Sequence, residues 1–237
     1  MRVLVLNCGS SSIKYRLFDE DQSVAKGIVE RIGQHGSDVP SHRAGLERVM
    51  DALGSSMSDG GLNAIGHRVV HGGEEFVEPT LIDSEVIERI RAQIPLAPLH
   101  NPANLLGIEV AVELQPDLPQ VAVFDTAFHR TLPPRAYRYA VPESMSRDHG
   151  VRRYGFHGTS HAYVAQRSAE HLDRPLEELN LITLHLGNGA SATAIDKGES
   201  IDTSKGMTPQ EGLVMWIRSG DNDPTIVFHL GRSAGLS

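Results

Sequence analysis

Four cationic or potentially cationic side chains of this 237-residue sequence lie within two residues of a glycine: Arg68, His157, His185 and Arg218. A guanidinium group is planar and forms paired hydrogen bonds with carboxylates and phosphates. An imidazole carries a comparable charge when it is protonated. We therefore expect these four side chains to converge on the oxygens of a phosphoryl group. Taken singly, each arginine fits a surface ion pair equally well, and each histidine fits a structural role.

A run of apolar residues leads into a glycine-containing loop in the second half of the chain. Residues 181–186 include four aliphatic side chains and are followed by Gly187, Asn188 and Gly189. Short apolar runs bounded by glycine are typical of buried strands. A row of inward-turned backbone N–H groups forms an anion-binding nest. We therefore predict a buried strand that ends in a phosphate-holding loop.

Two familiar phosphate motifs are alternatives for this loop. Residues 187–192 come close to the dinucleotide fingerprint G-x-G-x-x-G/A, which must open a helix. Residues 196–198 (Asp-Lys-Gly) interrupt the sequence too soon for a helix, so we favour a β-hairpin. The motif G-x-x-x-x-G-K-[ST] does not occur in the sequence, which excludes a P-loop protein.

The loop has a counterpart near the start of the sequence. Residues 3–12 align with residues 181–190 without a gap, so that Gly9 falls on Gly187 and Asn7 falls on His185. An internal repeat at long spacing predicts two domains of like fold. Each would open with a hairpin, and the two loops would face one nucleotide from opposite sides. The alternative is two unrelated hairpins that both contain glycine.

Strands alternate with helices in the first half, which predicts an α/β fold. Asp125 stands at the C-terminal end of a predicted strand, where ligands gather in α/β sheets. The predicted strands are 3–8, 13–17, 23–30, 62–70 and 121–124, and the predicted helices are 41–53, 84–94 and 101–115, the first two capped by Ser41 and Ser84.

The second half begins where proline, arginine and tyrosine become frequent, and we place the domain boundary between residues 128 and 129. Residues 54–61 predict a flexible connection inside the first domain. Beyond the boundary we predict a helix capped at Thr159 or Ser160 and ending near residue 172, the hairpin, a loop over residues 202–209, a helix through Trp216, and a last helix after a turn at residues 218–224.

Composition and net charge argue against several classes of protein. The formal net charge of −8 argues against a nucleic-acid or anionic-membrane surface. No apolar run approaches the ~20 residues that span a bilayer, and the N-terminus enters a strand pattern with no signal peptide. A single cysteine, Cys8, is typical of a protein in a reducing cytoplasm. We expect Cys8 to fill space in its loop as a small side chain rather than to act as a nucleophile.

Two histidine pairs have the i, i+4 spacing of helical zinc ligands. The first pair, His67 and His71, lies at the end of a predicted strand, where this spacing does not converge. The second pair, His157 and His161, lacks the glutamate of the H-E-x-x-H motif. We therefore do not expect a zinc site.

Seven motifs in this order resemble the acetate kinase family. They are VLVLNCGSSSIKYRLFD, IGHRVVHGGEEF, APLHNPANLLGI, VAVFDTAFHRTLP, RRYGFHGTSHAYVA, LITLHLGNGASATAIDKGESIDTSKGMTPQEGLVM and RSGDNDP. The resemblance implies a two-domain actin-like (ribonuclease H-like) α/β fold with duplicated phosphate hairpins. It also implies a cytoplasmic homodimer, dimerising through the second domain, that reversibly transfers the γ-phosphoryl group of MgATP to acetate, giving ADP and acetyl phosphate.

The resemblance also implies a role for individual residues. Arg68 would bind the acetate carboxylate, Asp125 would be the catalytic acid or base, and His157 and Arg218 would stabilise the transition state. Asn7 would help to hold Mg²⁺, Lys14 would contact ATP, the stretch His185, Leu186, Gly187, Asn188 and Gly189 would cradle its phosphates, and Val70, Leu99, Phe156 and Pro209 would surround the acetate methyl group.

Elementary chemistry modifies one of these roles. Acetate has a pKa near ~4 and is already ionised at neutral pH, so no proton has to be removed before it attacks. We therefore expect Asp125 to orient Arg68, Arg218 or a magnesium-bound water rather than to act as a base.

The sequence departs from the family pattern in two ways. Trp216 and Ile217 precede Arg218, where the family usually has small residues, and family chains continue further, so we expect the second domain to be incomplete. Two alternatives to an acetate kinase therefore stay open. One is a non-catalytic remnant that binds nucleotide or acyl phosphate, and the other is a propionate or butyrate kinase.

Overall fold

The computed structural model describes residues 1–54 and 61–234. The chain divides into two compact units, and the division falls after Arg130, two residues beyond the predicted boundary. Most of the predicted flexible connection, residues 55–60, lies outside the described residues. Among the described residues, no helix is both long enough and apolar enough to cross a membrane.

The first unit is built on a six-stranded sheet in the order β3-β2-β1-β4-β6-β5. The predicted first hairpin and third strand are confirmed as an antiparallel meander, to which β4 and β6 add in parallel. The strands are β1 (Arg2–Gly9), β2 (Ser12–Asp19), β3 (Gln22–Glu30), β4 (Ala64–Val69), β5 (Thr80–Leu81) and β6 (Gln120–Phe124).

Three helices pack on this sheet: α1 (His42–Leu53), α2 (Ser84–Ala92) and α3 (Asn101–Leu114). Alternate residues of β1 (Leu4, Leu6 and Cys8) enter a core that also takes residues from α1 and α3, as expected for a strand with one buried face. Ser41 caps α1 as predicted, through its hydroxyl and the N–H of Ala44. The predicted cap of α2 is wrong by one residue, because Asp83 and not Ser84 accepts the N–H of Val86.

The second unit contains α4 (Pro134–Tyr137), α5 (Glu143–His149), α6 (Gly158–Leu172), β7 (Asn180–Leu186), β8 (Ala190–Asp196), β9 (Glu199–Thr203) and α7 (Thr225–Ser233). The described strands form an antiparallel sheet in the order β7-β8-β9. The predicted phosphate hairpin is therefore confirmed as β7 and β8, whereas β9 was not predicted. Both units begin their sheet with a three-stranded meander, in agreement with the repeat.

Three predictions for the second unit need correction. The predicted buried strand β7 is buried on one face only, since Thr183 faces inward whereas Ile182 and Leu186 are 77% and 71% exposed. Helix α6 begins at Gly158, before the predicted caps. The predicted helix through Trp216 does not form. Instead a bridge joins Met215 to Arg218, and Gly212 adopts φ 103°, which is not helical.

Candidate active site

In the first unit, Arg68 and Asp125 form a two-point ion pair. Nε of Arg68 donates to Oδ1 of Asp125 over 2.9 Å, and Nη2 donates to Oδ2 over 2.5 Å. Nη1 donates to Oδ1 of Asn7 over 3.2 Å. Three residues that the sequence assigned to the site thus form one cluster at the carboxyl ends of β1, β4 and β6.

The pair is asymmetric in its exposure to water. The side chain of Asp125 is 3% exposed, whereas that of Arg68 is 38% exposed. Burial lowers the pKa of Arg68, but the charge and the hydrogen bonds of the Asp125 carboxylate outweigh it, so the pKa lies above its usual value. Arg68 therefore stays charged and presents one side of its guanidinium group outward.

Two buried asparagines of α3 fix the strand ends that carry these side chains. Asn104 accepts the N–H of Val70 over 3.0 Å and donates to the carbonyl of Cys8 over 2.6 Å, which ties the end of β4 to the end of β1. Asn101 accepts the N–H of His71 and donates to its carbonyl. These backbone groups are buried and take their hydrogen bonds from the two asparagine amides instead of from water. The amides therefore hold the strand ends in place.

The other predicted site residues of the first unit differ in position and in exposure to solvent. Lys14 lies on β2 as the direct cross-strand partner of Asn7, so it belongs to the same face of the sheet. Val70 follows β4 and is buried. Leu99, a predicted part of the methyl pocket, is 76% exposed within its own unit.

In the second unit, the start of α6 lies against the phosphate hairpin. Nδ1 of His157 lies 2.8 Å from Oγ of Ser191, and its ring stacks on that of His185 with 4.0 Å between centroids. His185 in turn binds Ser160 through Nδ1. His157 adopts φ 58°, a left-handed conformation that costs a non-glycine residue about 1–2 kcal/mol. Residues held in such strained conformations cluster at functional sites.

His157 and Arg218 converge on Gly189, in the loop between β7 and β8. A Cβ atom added to Gly189 would lie 3.4 Å from Nε2 of His157 and 3.6 Å from Nη1 of Arg218. Gly187 and Asn188, at the tip of the same loop, are exposed, as is Leu186 beside them. The second unit therefore brings His157, His185, the glycine loop and Arg218 together, as the sequence predicted.

The loop that carries Arg218 is anchored by a buried lysine. Nζ of Lys205 donates to the carbonyl of Pro209 over 2.8 Å, and Nη1 of Arg218 donates to the same carbonyl over 3.1 Å. Burial, followed by the charge of Arg218, lowers the pKa of Lys205 to about 8. The N–H of Trp216 also donates to the carbonyl of Asn188, which ties this loop to the phosphate loop. Phe156 is buried within the unit.

A magnesium ion would find few protein ligands here. Within residues 1–54 and 61–234, no group of three or more His, Cys, Asp or Glu side chains could hold a metal. Asn7 offers one hard oxygen, currently bound by Arg68. This donor set fits Mg²⁺ that arrives with a nucleotide, because Mg²⁺ takes most of its ligands from phosphates and water at such sites.

Sequence reasoning missed several residues that position the site. Ser191, His161, Lys205 and Asn104 are all nearly or fully buried and bind site residues or their loops. The i, i+4 spacing of His157 and His161 was noticed as a zinc pattern. The two rings do converge, but on the hydroxyl of Ser191.

Comparison with known proteins identifies the family of the chain. The sequence profile of the acetokinase family matches residues 2–237. The chain belongs to the acetokinase family. Its sequence is 56% identical to an acetate kinase of Sulfurovum sp. strain NBC37-1, covering 98% of this chain and 63% of that protein. It is 54% identical to an acetate kinase of Streptomyces avermitilis, covering all of this chain and 64% of that one.

Solved structures of acetokinases show the same fold. The chain matches an acetate kinase of Porphyromonas gingivalis with a TM-score of 0.93 at 46% identity. It matches a propionate kinase of Francisella tularensis with a TM-score of 0.91 at 43% identity. Each structural match covers all of this chain and 65% of the matched chain. The actin-like α/β fold expected from the resemblance is thereby confirmed, and the chain spans just under two thirds of the length of these relatives.

Proposed function

We propose that this chain transfers the γ-phosphoryl group of ATP to acetate, reversibly, giving acetyl phosphate and ADP. The observation that carries the proposal is the convergence of His157 and Arg218 on Gly189 of the phosphate hairpin. An imidazole ring and a guanidinium group that face one glycine suit an anion that approaches the backbone closely. The names of the relatives support acetate as the acceptor.

Arg68 is the residue that we assign to the acyl carboxylate. A guanidinium group has five N–H donors, and Asp125 and Asn7 engage three of them. One N–H on each of Nη1 and Nη2 is left to form a paired bond with acetate. The bidentate contact supports the role of Asp125 as an orienting residue rather than a base, because its two oxygens both bind Arg68 and acetate needs no deprotonation.

His157 and Arg218 act on the transferring phosphoryl group. In a loose, metaphosphate-like transition state, negative charge spreads over the three equatorial oxygens. Fixed donors that meet this charge lower the barrier because they need no reorganisation during the reaction. Arg218 and Lys205 both donate to the carbonyl of Pro209 and contact the thioether of Met215, which are uncharged acceptors. The anion then supplies a counter-charge to both side chains.

Mg²⁺, the dimer and the cytoplasm are further parts of the proposal. Asn7 would hold Mg²⁺ together with the nucleotide, and the metal would neutralise charge between the phosphoryl groups. Lys14, on the same sheet face, would contact ATP.

The homodimer and the cytoplasmic location rest on the family resemblance. Sedimentation of the purified chain at several concentrations tests the dimer, and a single species of monomer mass would contradict it.

A propionate kinase is the second candidate. The structural match to the Francisella tularensis propionate kinase is nearly as close as the match to the acetate kinase. One methylene in an apolar pocket changes binding by only ~1–3 kcal/mol, so the fold does not separate the two acids. Val70 and Leu99, the residues of the first unit that we assign to the acetate methyl group, are side chains that would set this preference.

The proposal is tested by trapping acyl phosphate with hydroxylamine. The purified 237-residue chain is incubated with MgATP and either acetate or propionate, and kcat/KM is compared for the two acids. Arg68→Ala is expected to raise the KM for the acid, whereas Arg48→Ala removes an exposed arginine paired with Asp38 and serves as the matched control. A folded chain that binds ATP without forming either acyl phosphate would overturn the kinase proposal and favour the non-catalytic alternative.

A further inference from the structure

Arg153 binds two separate stretches of the second unit through its guanidinium group. Its Nη1 donates to the backbone carbonyls of residues 203–205 over 3.1, 3.3 and 3.1 Å. Its Nη2 donates to Oε1 of Glu211 over 2.5 Å. The side chains of Arg153 and Glu211 are only 19% and 30% exposed, so this ion pair is largely sheltered from water. One side chain thereby holds both ends of the segment 205–211.

Helix α4 fixes the position of Arg153. Nε of Arg153 donates to the carbonyl of Ala136 over 3.1 Å, and its backbone N–H donates to the carbonyl of Tyr137 over 2.8 Å. The N–H groups of a guanidinium form a rigid planar fork. Because this fork is held by α4, the carbonyls that follow β9 and the Glu211 carboxylate bind to a fixed group.

Tyr139 binds the other oxygen of the Glu211 carboxylate. Its hydroxyl donates to Oε2 of Glu211 and accepts the N–H of Met207 over 2.9 Å. Burial, followed by the hydrogen bond to Glu211, raises the pKa of Tyr139 to about 12, so the hydroxyl keeps its proton at neutral pH. A Cβ atom added to Gly206 would overlap both the carboxylate and the hydroxyl, so these two groups lie directly on the backbone of the segment.

The segment 205–211 carries an acceptor that holds Arg218. Pro209 lies inside the segment, and its carbonyl accepts Nη1 of Arg218 over 3.1 Å and Nζ of Lys205 over 2.8 Å. The same Nη1 lies 3.6 Å from a Cβ atom added to Gly189. A displacement of the segment would therefore displace the guanidinium of Arg218 relative to the phosphate loop.

We propose that Arg153 and Glu211 are positioning residues that hold Arg218 at the phosphate loop by fixing both ends of the segment 205–211. The placement of the segment rests on hydrogen bonds within the second unit, whereas its catalytic consequence rests on the proposed function. Hydrogen bonds between charged groups are roughly twice as strong as neutral ones. A donor that is already fixed lowers the barrier because it does not reorganise during the reaction.

Hydrogen exchange of backbone N–H groups, measured by mass spectrometry on the whole chain, tests the placement. Glu211→Gln keeps the shape of the side chain but removes its charge. Glu178→Gln removes an exposed carboxylate paired with Arg174 and is the matched control. We expect Glu211→Gln to raise the exchange rate of residues 207–218 on the order of tenfold, while the rest of the chain exchanges as in the wild type. Unchanged exchange over residues 207–218 would overturn the proposal.

A double-mutant cycle tests the catalytic consequence. We expect Glu211→Gln to lower kcat on the order of tenfold while the KM for acetate stays within about twofold, because Arg68, assigned to acetate, lies in the first unit. In the Arg218→Ala background, Glu211→Gln is expected to change kcat by less than about twofold, since the side chain through which it acts is gone. Equal fold-losses in the two backgrounds would show a general effect on the fold and contradict the proposal.

A milder variant keeps the test decisive if Glu211→Gln unfolds the chain. Tyr139→Phe removes only the hydroxyl that binds Glu211 and Met207, and Tyr163→Phe, at a side chain that is 65% exposed, is its control. We expect Tyr139→Phe to raise the exchange rate over residues 207–218, and equal exchange in the two variants would overturn the proposal. If the wild-type chain has no kinase activity, hydrogen exchange still decides the placement of the segment, so failure of the proposed function and failure of this inference are distinguishable.

Discussion

At the scale of single residues, Asp125 orients Arg68 through two hydrogen bonds from a nearly dry position. Asp125→Asn keeps the shape but replaces one acceptor oxygen by a donor that faces the guanidinium. We expect the KM for acetate to rise more than the KM for ATP, and kcat/KM for acetate to fall on the order of 10²-fold. Steady-state kinetics with each substrate varied in turn measure both effects.

Asp117→Asn is the control for this variant, because it removes an exposed carboxylate just before the same strand. If Asp125→Asn kept most of its turnover and its affinity for acetate, the orienting role would be wrong. A loss in kcat alone, with both KM values unchanged, would instead restore the role of a general acid or base.

The lowered pKa of Lys205 predicts how the free energy of unfolding depends on pH. Its pKa is about 8 in the folded chain and 10.5 as the usual value, so between these pH values the unfolded state binds more protons and the free energy of unfolding rises with pH. We expect the wild-type chain to gain on the order of 2 kcal/mol relative to Lys205→Met between pH 7.5 and 10.5. Urea titrations at several pH values measure this difference.

Lys26→Met serves as the control, since Lys26 is exposed on β3. A difference between wild type and Lys205→Met that did not change with pH would contradict the depressed pKa.

The sequence indicated the candidate site residues better than it indicated their partners in the fold. Arg68, His157 and Arg218 were recognisable because a cation beside glycine is a local pattern. Ser191 and Lys205 were not, because what makes them important is burial against other elements. Once the hairpin was assumed, the cross-strand pairing of Ser191 with His185 could have indicated the importance of Ser191.

At the scale of elements, α3 ties the ends of β1 and β4 together through Asn104. Asn104→Ala would leave the N–H of Val70 and the carbonyl of Cys8 without their amide partner. Each buried unsatisfied group costs about 1–3 kcal/mol, so we expect a loss of about 2–4 kcal/mol in the free energy of unfolding and a weaker affinity for acetate. Chemical denaturation and the acyl phosphate assay measure the two effects.

Glu113→Ala is the matched control on the same helix, because it removes an exposed ion pair with Arg43 that contributes little. Equal stability of Asn104→Ala and Glu113→Ala would show that α3 does not hold the strand ends in this way.

The phosphate hairpin makes a second prediction at this scale. Gly189 is not among the residues with positive φ, and an added Cβ meets ordinary contact distances, so Gly189→Ala should fold with nearly unchanged stability. Its methyl group would lie where His157 and Arg218 converge, so we expect at least a tenfold loss in affinity for the nucleotide or in kcat. Gly54→Ala, which adds a methyl group to open space, is the control. Wild-type kinetics for Gly189→Ala would place the phosphoryl group elsewhere.

Periodicity predicted most elements correctly, and its failures have physical causes. The aliphatic run of β7 was expected to be buried, but alternate residues face α6 and the rest stay exposed in the described part of the unit. The helix expected through Trp216 is replaced by a loop, because the contacts of Lys205, Gly212 and Asn188 hold the backbone there. Tertiary contacts override local propensity at both places.

At the scale of the whole molecule, nucleotide binding should appear as thermal stabilisation. A ligand at 100 times its Kd stabilises the folded state by about 2.7 kcal/mol, so MgATP and MgADP are expected to raise the Tm by several degrees. Sulfate at the same ionic strength is the control for general anion effects, which matter for a chain with a net charge of −8. No shift beyond that of sulfate would contradict a nucleotide site.

The division into two units and the repeated hairpins were both indicated by the sequence, because a gap-free repeat carries information over a long distance. The chain's proposed activity rests on the family and on two groups of side chains, one in each unit. The claim at the centre is that Arg218 stabilises the transferring phosphoryl group.

That claim is tested most directly by the kcat of Arg218→Ala, measured with and without guanidinium ion in solution. Arg174→Ala, which removes an exposed arginine of the same unit, is the control. We expect Arg218→Ala to lose on the order of 10²–10³ in kcat, and guanidinium to restore part of it while leaving the wild-type chain unchanged. A near-normal kcat for Arg218→Ala would contradict the proposed site.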